Sequence, residues 1–582
     1  MPNRQSLPVR AALRRCSLSP VDALVALGIV ALLYGLVRLG RSITVDVTPG
    51  RSAEHLSTEL ADVPYYAARS LLRMFIALGL STVFTFVYGV AAARLKRAEK
   101  VLVPVLDILQ SIPILVFLPI ALTFFVNLFG GRIIGFECAS IFVIFTSQAW
   151  NMTFSFYHSL ITQQPELDEA ARMYRLTKWQ RFWKLDVPSS MIGLVWNAMM
   201  SMGGGWFFLT ASEAVTVFIG HKGTNVNLPG IGSYMAAAVE QGSVPKVFIA
   251  IGVMVVLVVG TNFFVFRPLV AWSEKFRMET SESGDQPRSI VLGVLRASSV
   301  LRALGRTTRP VRRALDSVFR PFGVAEYPLH PDARRRRVGD VAFWGVVTAV
   351  AVAGGVEGFV YLDQRVGFSR FPYLIALASA TFGRVAVLIV ISSLIWVPIG
   401  VRIGLDRRLA RYAQPVVQVL ASFPAILLFP FVTVVFIALH VPLNIGAILL
   451  MMLGAQWYIL FNVIAGASAI PNDLREMATN FQLTRRQRWK RVILPAIFPY
   501  YVTGGITAAG GAWNASIVAE LVSWHGRTLT SFGLGSYLAD ASAHGNFGLL
   551  VAGGVVMSTF VVAVNRLFWR RLYRLAETRY SI

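Results

Sequence analysis

Along this chain of 582 residues, long apolar runs alternate with short polar segments, and the alternation is played through twice in the same order. In the first half the runs cover about 21–39, 68–93, 101–129, 133–160, 188–212 and 246–271. In the second they cover about 340–361, 377–404, 412–438, 443–467, 495–519 and 546–568. Most have the roughly 20 apolar residues a helix needs to cross a hydrocarbon layer about 30 Å thick. The pattern predicts an all-α polytopic membrane protein of about twelve transmembrane helices in two homologous halves. Loops at 41–66, 218–245 and 521–545 connect helices on one side, and the Gly-rich stretch with Gly230 and Gly232 falls in the second of them.

The strongest repeat lies in a polar segment. Residues 166–188 read ELDEAARMYRLTKWQRFWKLDVP and residues 473–495 read DLREMATNFQLTRRQRWKRVILP. Glu169 matches Glu476, Ala171 matches Ala478, Leu176-Thr177 matches Leu483-Thr484, and Gln180-Arg181 matches Gln487-Arg488, all 307 positions apart. The match extends to Arg73 and Arg384, Ser111-x-Pro113 and Ser422-x-Pro424, Gly204 and Gly511, and Gly230-x-Gly232-Ser-Tyr234 and Gly533-x-Gly535-Ser-Tyr537. Collinearity of this extent indicates duplication. Residues 1–272 then form a first half, 273–339 a linker and 340–582 a second half. Six helices per half return the chain to its starting side, so both halves share one orientation. The linker, with its run Arg334-Arg335-Arg336-Arg337, reads as a surface segment with one or two amphipathic helices near 290–320.

Composition sharpens this picture. Hydrophobic residues make up 55% and charged residues 15%, against about a quarter charged in soluble domains; mean hydropathy is +0.60. A formal net charge of +25 suits a nucleic-acid binder in isolation, but not beside a dozen membrane-length apolar runs. The basic residues crowd the N-terminal tail, 94–100, both polar repeats, the linker, 402–411 and the C-terminal tail. By the positive-inside tendency these segments, and both termini, face the cytoplasm, and no nucleic-acid partner is expected. The run at 21–37 follows a basic tail but lacks a clear small-residue cleavage site, and reads as a retained anchor. Cys16 and Cys138 lie apart, so neither a disulfide framework nor a metal cluster is implied.

Glu169-Ala170-Ala171, a polar stretch, then Leu185-Asp186-Val187-Pro188 resembles the cytoplasmic EAA loop of type I ABC importer permeases. Glu476-Met477-Ala478 through Ile493-Leu494-Pro495 resembles a second, weaker copy, so the likeness covers nearly the whole chain as a fused double-length permease. The Trp-x6-Glu pairs and the Ser-x-Pro-x5-Pro pairs look most like the nitrate, sulfonate, taurine and bicarbonate branch. The resemblance implies a channel-forming subunit whose loops dock on two ATP-binding subunits, through Glu169, Ala170, Ala171, Arg172, Arg175, Leu176, Glu476, Ala478, Gln482 and Leu483. It implies a periplasmic or lipid-anchored solute-binding protein, a bacterial inner membrane, and ATP with Mg on the partners, with no cofactor bound directly. The chain has no Gly-x4-Gly-Lys-Ser/Thr loop of its own. One departure leaves the turn geometry open. Six residues after the Glu the family usually has Gly, which tolerates positive φ; here Arg175 and Gln482 stand there. From the residues alone, the segments favour helix, and small Ala171 and Ala478 would let a partner approach closely.

Candidate pathway residues are Trp206, Glu213, Trp513, Glu520, Gln148 and Gln456. Each Trp precedes its Glu by seven positions, two helical turns, so the two share a face. Two readings stay open: these faces line the route between the halves, or Trp anchors an interface and Glu meets water outside. The carboxylates can gate, or pair with Arg73 and Arg384. Gln148 and Gln456 suit a polar solute or bonds between helices. Glycines at 203–205 and 510–511 suit either a kink or tight packing. For function, a small and anionic solute imported by alternating access stands first. An ion-coupled secondary transporter, or carriage of iron, thiamine or polyamine, stands as the alternative.

Overall fold

The computed structural model describes residues 56–130, 132–216, 228–276, 289–298, 310, 314 and 333–579; the helix expected at 21–39 and most of the linker lie outside them. The first half runs α1 (Val63–Arg94), α2 (Lys96–Ser111), α3 (Phe117–Leu128), α4 (Ile133–Ile161), α5 (Pro165–Met173), α6 (Lys178–Arg181), α7 (Val187–Thr216), α8 (Ile231–Glu240), α9 (Val244–Thr261) and α10 (Arg267–Ser273). The short α11 (Ile290–Ala297) falls where an amphipathic linker helix is expected. The second half runs α12 (Ala333–Arg365), α13 (Phe371–Leu405), α14 (Arg407–Ser422), α15 (Phe429–Ala438), α16 (Leu443–Ser468), α17 (Asn472–Asn480), α18 (Arg485–Arg488), α19 (Leu494–Ala519), α20 (Leu534–Ala543), α21 (Phe547–Val564) and α22 (Arg570–Arg579). The Arg334–Arg337 run lies in the first turns of a helix that continues to Arg365.

Among the described residues, nine helices are long and apolar enough to cross a membrane. The expected single helices at 101–129 and 412–438 are instead bent pairs. Lys96–Ser111 meets Ile114–Leu128 at 83°, and Arg408–Ser422 meets Ala425–Ala438 at 80°. Pro113 and Pro424 explain both breaks. A proline has no N–H for the helical ladder and pushes the residue before it out of the helical region; Ile112 and Phe423 are accordingly extended, with ψ near 130° (131° and 129°). A π-turn precedes each of Pro188, Pro268 and Pro495, where an N–H is missing from the regular ladder.

The loops read as Gly-rich hold short helices, α8 and α20, each entered from an extended glycine, Gly230 or Gly533. A two-stranded hairpin is the one β element among the described residues. β1 (Leu521–Trp524) pairs antiparallel with β2 (Arg527–Thr530), with Trp524 opposite Arg527. Its tip, His525-Gly526, has positive φ at both residues (46° and 77°), the turn whose twist matches that of paired strands.

Among the described residues, packing sets those of 158–196 and 260–298 in one compact unit and those of 56–157, 197–259 and 333–579 in another. In the larger unit, glycines set the helix spacing. A Cβ on Gly504 of α19 would sit 2.9 Å from the Tyr458 carbonyl oxygen of α16, and one on Gly404 of α13 would sit 2.6 Å from the Ala467 Cβ. Such close approach replaces the hydrophobic drive that is missing between helices in lipid.

Candidate functional site

The polar repeat forms the same elbow in both halves: a nine-residue helix, a reversal, and a short helix leading into the next span. The reversal is made twice by one hydrogen-bond pattern. Leu176 N–H donates to Ala171 O (3.1 Å) and Arg175 N–H to Arg172 O (2.9 Å); Leu483 N–H donates to Ala478 O (3.1 Å) and Gln482 N–H to Thr479 O (2.9 Å). This is the left-handed helix stop in which the carbonyls of the last turn are satisfied from beyond the end. Arg175 and Gln482 occupy the left-handed position, with φ of 47° and 46°. The turn is therefore retained without glycine, at a steric cost of about 1–2 kcal/mol each. Thr177 and Thr484 then cap the short helices, each accepting from the N–H of Gln180 or Gln487 while that Gln side chain accepts the threonine N–H. The repeated Leu-Thr-x-x-Gln is thus a stop signal followed by a capping box.

The expectation for the alanines is corrected. Ala171 and Ala478 are buried, 6% and 1% exposed, because they sit where the reversal folds the chain back over the helix end. The outward face is carried by neighbours: Met173 and Tyr174 are 85% and 81% exposed, and Met477 and Phe481 are 42% and 74% exposed. Glu169, Arg172, Arg175, Glu476 and Gln482 are also exposed; Ala170, Leu176 and Leu483 are half-buried.

The elbows differ inside. In the first, Arg181 and Arg172 both pair with Asp168. Part burial pushes the Asp168 carboxyl up, but hydrogen bonding from Arg172 and the charge of Arg181 outweigh it and hold the group below its usual range. In the second, Arg475 stands where the first has Asp168, and Arg488 reaches instead to the Thr479 hydroxyl (2.8 Å).

Glu213 and Glu520 are the hubs of two further matched clusters. In the first half, Glu213 accepts from Arg73 Nη1 (2.5 Å), the Ser70 hydroxyl (2.7 Å) and the Gly232 N–H (2.8 Å), and Arg73 also donates to the Pro229 carbonyl (2.9 Å). In the second, Glu520 accepts from Arg384 Nη1 (2.8 Å), the Thr381 hydroxyl (2.9 Å) and the Gly535 N–H (2.7 Å), and Arg384 donates to the Phe532 carbonyl (2.7 Å). Each cluster clasps three elements: α1, α7 and α8, or α13, α19 and α20. Both carboxylates are fully buried, which excludes the reading in which they meet water outside. A Cβ on Gly230 would lie 2.3 Å from the Glu213 Cδ, and one on Gly533 2.2 Å from Glu520 Oε2. Only glycine lets the backbone close on the carboxylate.

Around the clasps the halves diverge. Glu137 of α4 joins the first, bonded to Arg73 Nε (2.5 Å) and Nη2 (2.7 Å) and paired with Arg69. Asn444 takes that place in the second, accepting from Arg384 Nη2 (3.0 Å) and from the Phe532 N–H (2.8 Å).

The remaining pathway candidates are buried as well. Trp206 and Trp513 are 1% and 2% exposed. Gln148 donates to Met74 Sδ (3.2 Å), and Gln456 accepts from Trp396 Nε1 (2.8 Å). In this conformation these residues sit in helix packing. Sequence reasoning missed Ser70, Glu137, Thr381, Asn444, Tyr174 and Phe481. The spacing offered a signal for two pairs: Ser70 and Thr381 share the offset of the two arginines, and Tyr174 and Phe481 that of the elbows.

A duplicated, multi-pass helical membrane protein with paired polar elbows is the class these features define. The chain belongs to the family described as binding-protein-dependent transport system inner membrane component, whose model matches residues 85–270 and again 396–582. Among curated proteins it is similar to the nitrate import permease protein NrtB of Synechococcus elongatus, 28% identical over 189 residues, 32% of this chain and 63% of the relative. It is also similar to the bicarbonate transport system permease protein CmpB of the same species, 32% identical over 164 residues (28% of this chain, 56% of the relative). A third relative is the putative aliphatic sulfonates transport permease protein SsuC of Bacillus subtilis, 29% identical over 184 residues, 30% of this chain and 63% of the relative. The chain thus spans less than two thirds of the length of these relatives.

Proposed function

We propose that the chain is the membrane-spanning permease of an ATP-driven importer and supplies both halves of the translocation path from one polypeptide. The reading places it in a bacterial inner membrane, elbows and both termini on the cytoplasmic side, moving a small anionic solute inward by alternating access. ATP and Mg are held by two separate ATP-binding subunits, and a periplasmic or lipid-anchored binding protein delivers the solute. The names of the relatives support nitrate, bicarbonate or a sulfonate as the solute class.

One observation carries the reading. Two matched polar elbows each present an apolar knob, Met173-Tyr174 and Met477-Phe481, that is exposed among the described residues. Large apolar side chains on an otherwise charged surface mark a contact with another protein. The knobs sit on and at the ends of the nine-residue helices, and each reversal leads directly into a short helix with a capping box that continues into the span, so a push on a knob passes through the elbow into α7 and α19.

The test is Tyr174→Glu combined with Phe481→Glu in the full chain, purified from its native membrane. The variant is expected to insert and fold while the ATP-binding subunits no longer co-purify. Retention of those subunits at the wild-type level overturns the proposal. So does nitrate, bicarbonate or sulfonate uptake that survives ATP depletion and collapses with the ion gradient; that outcome selects the ion-coupled alternative.

A further inference from the structure

We infer that Arg475 is the positioning residue that locks the second elbow to the helices above it. The inference rests on the coupling role just proposed for that elbow. Within an otherwise repeated segment, this position reverses charge: Asp168 in the first elbow, Arg475 in the second. The first elbow uses the acid to bind its own arginines. The second has no acid there, and its guanidinium turns away from the elbow. Arg475 Nη2 donates to the Ala467 carbonyl of α16 (2.9 Å) and Nη1 to the Leu405 carbonyl of α13 (3.3 Å).

Both acceptors lie in the last turn of a long helix, Leu405 at the end of α13 and Ala467 one residue before the end of α16. Such carbonyls have no partner within their own helix, and the helix dipole places negative charge there, so a cation is favoured. One planar guanidinium satisfies two helices at once, which an ammonium point charge cannot do with the same geometry. The knot is closed on both sides. Ser468 Oγ of α16 donates to the Gly404 carbonyl of α13 (3.1 Å), and Arg488 of α18 donates to the Arg475 carbonyl itself (3.3 Å). The chain of contacts therefore runs from α18 through α17 into the ends of α13 and α16. A load applied at Phe481 reaches two spans directly through Arg475, besides travelling along the backbone into α19.

The experiment uses the full chain in complex with its ATP-binding subunits, with spin labels at Asn480 on α17 and Arg402 on α13, both exposed. Arg475→Met and Arg475→Lys are compared with the parent. In the parent, the Asn480–Arg402 distance distribution is narrow and unchanged when ATP and vanadate are added, because elbow and helix move as one body. In Arg475→Met the distribution broadens without nucleotide and shifts with ATP and vanadate, and ATP-driven uptake falls about 5-fold or more, the range of a typical coupling energy. Arg475→Lys, which keeps the charge and at least one carbonyl bond, restores part of both. A distribution in Arg475→Met identical to the parent overturns the inference. So does a broadened distribution with undiminished uptake per ATP hydrolysed, which leaves the importer reading standing. If no ATP-binding subunit accompanies the parent, the importer reading fails instead, and the nucleotide-free distance distribution still decides whether Arg475 holds the elbow.

Discussion

Each half of this protein builds the same two devices, a clasp around a buried glutamate and an elbow at the end of a helix pair, and wires them differently. The first clasp holds two arginines and two carboxylates, Arg69, Arg73, Glu137 and Glu213. The second holds one of each, Arg384 and Glu520, with Asn444 supplying neutral acceptors. Both are neutral as a whole, which burial requires. The lesson is that backbone geometry and charge balance are what the two copies share, while the particular partners differ. The glycines that meet the carboxylate are the same in both; the acid on the fourth helix is not.

The largest test of this difference is neutralisation of each hub. Glu520→Gln leaves Arg384 without a carboxylate and is expected to cost about 3–5 kcal/mol, the usual penalty for breaking a buried pair. Glu213→Gln leaves Arg73 still bound to Glu137, so the expected loss is closer to that of one charged hydrogen bond, about 2 kcal/mol. Thermal unfolding followed by tryptophan fluorescence in one detergent compares the two. Equal losses would mean that Glu137 gives the first clasp no reserve.

The elbows separate next, by acidity. The Asp168 carboxyl titrates below its unfolded value of about 4 when folded. Its contribution is complete above that value and lost as pH falls through the folded one. Hydrogen exchange, corrected for intrinsic rates, is expected to rise in Pro165–Arg181 as the pH is taken below about 4. Asn472–Arg488, whose matching tie runs through Arg475 and carbonyl oxygens, is expected to keep its protection over the same interval. Parallel loss in both elbows would break the distinction.

The smallest effect should be shared by the halves. Arg175→Gly and Gln482→Gly relieve a left-handed backbone and are expected to stabilise each elbow by about 1 kcal/mol, seen as slower exchange at Leu176 and Leu483. A gain in only one elbow would show that the other stop relies on its side chain.

The spans, the duplication and the two elbows could be read from the sequence because each rests on a run of similar residues or an exact offset. The breaks at Pro113 and Pro424 could not be placed, since an apolar stretch stays apolar whether its backbone is straight or bent by 80°. The helices Ile231–Glu240 and Leu534–Ala543 were hidden because the glycines that admit them resemble those of an open loop. The clasps were legible only in part. Pairing of Glu213 and Glu520 with Arg73 and Arg384 stands among the sequence readings, and the structure forms both pairs across 140 and 136 residues, but Ser70, Glu137, Thr381 and Asn444, which complete the clasps, join them only through the fold. The burial of Ala171 and Ala478 follows from the helix stop, and that stop depends on φ values that Arg and Gln rarely adopt.

The clasps also set a schedule for synthesis. Arg69 and Arg73 enter the bilayer together with α1; Glu137, 64 residues after Arg73, answers only one of the two charges, and Glu213 arrives 140 residues after Arg73. Arg384 waits 136 residues for Glu520. At about 5–20 residues per second, each half therefore carries one uncompensated cation into the insertion machinery for a similar time. Nascent chains stalled before residue 213 or before residue 520 should be the ones that quality-control proteases find.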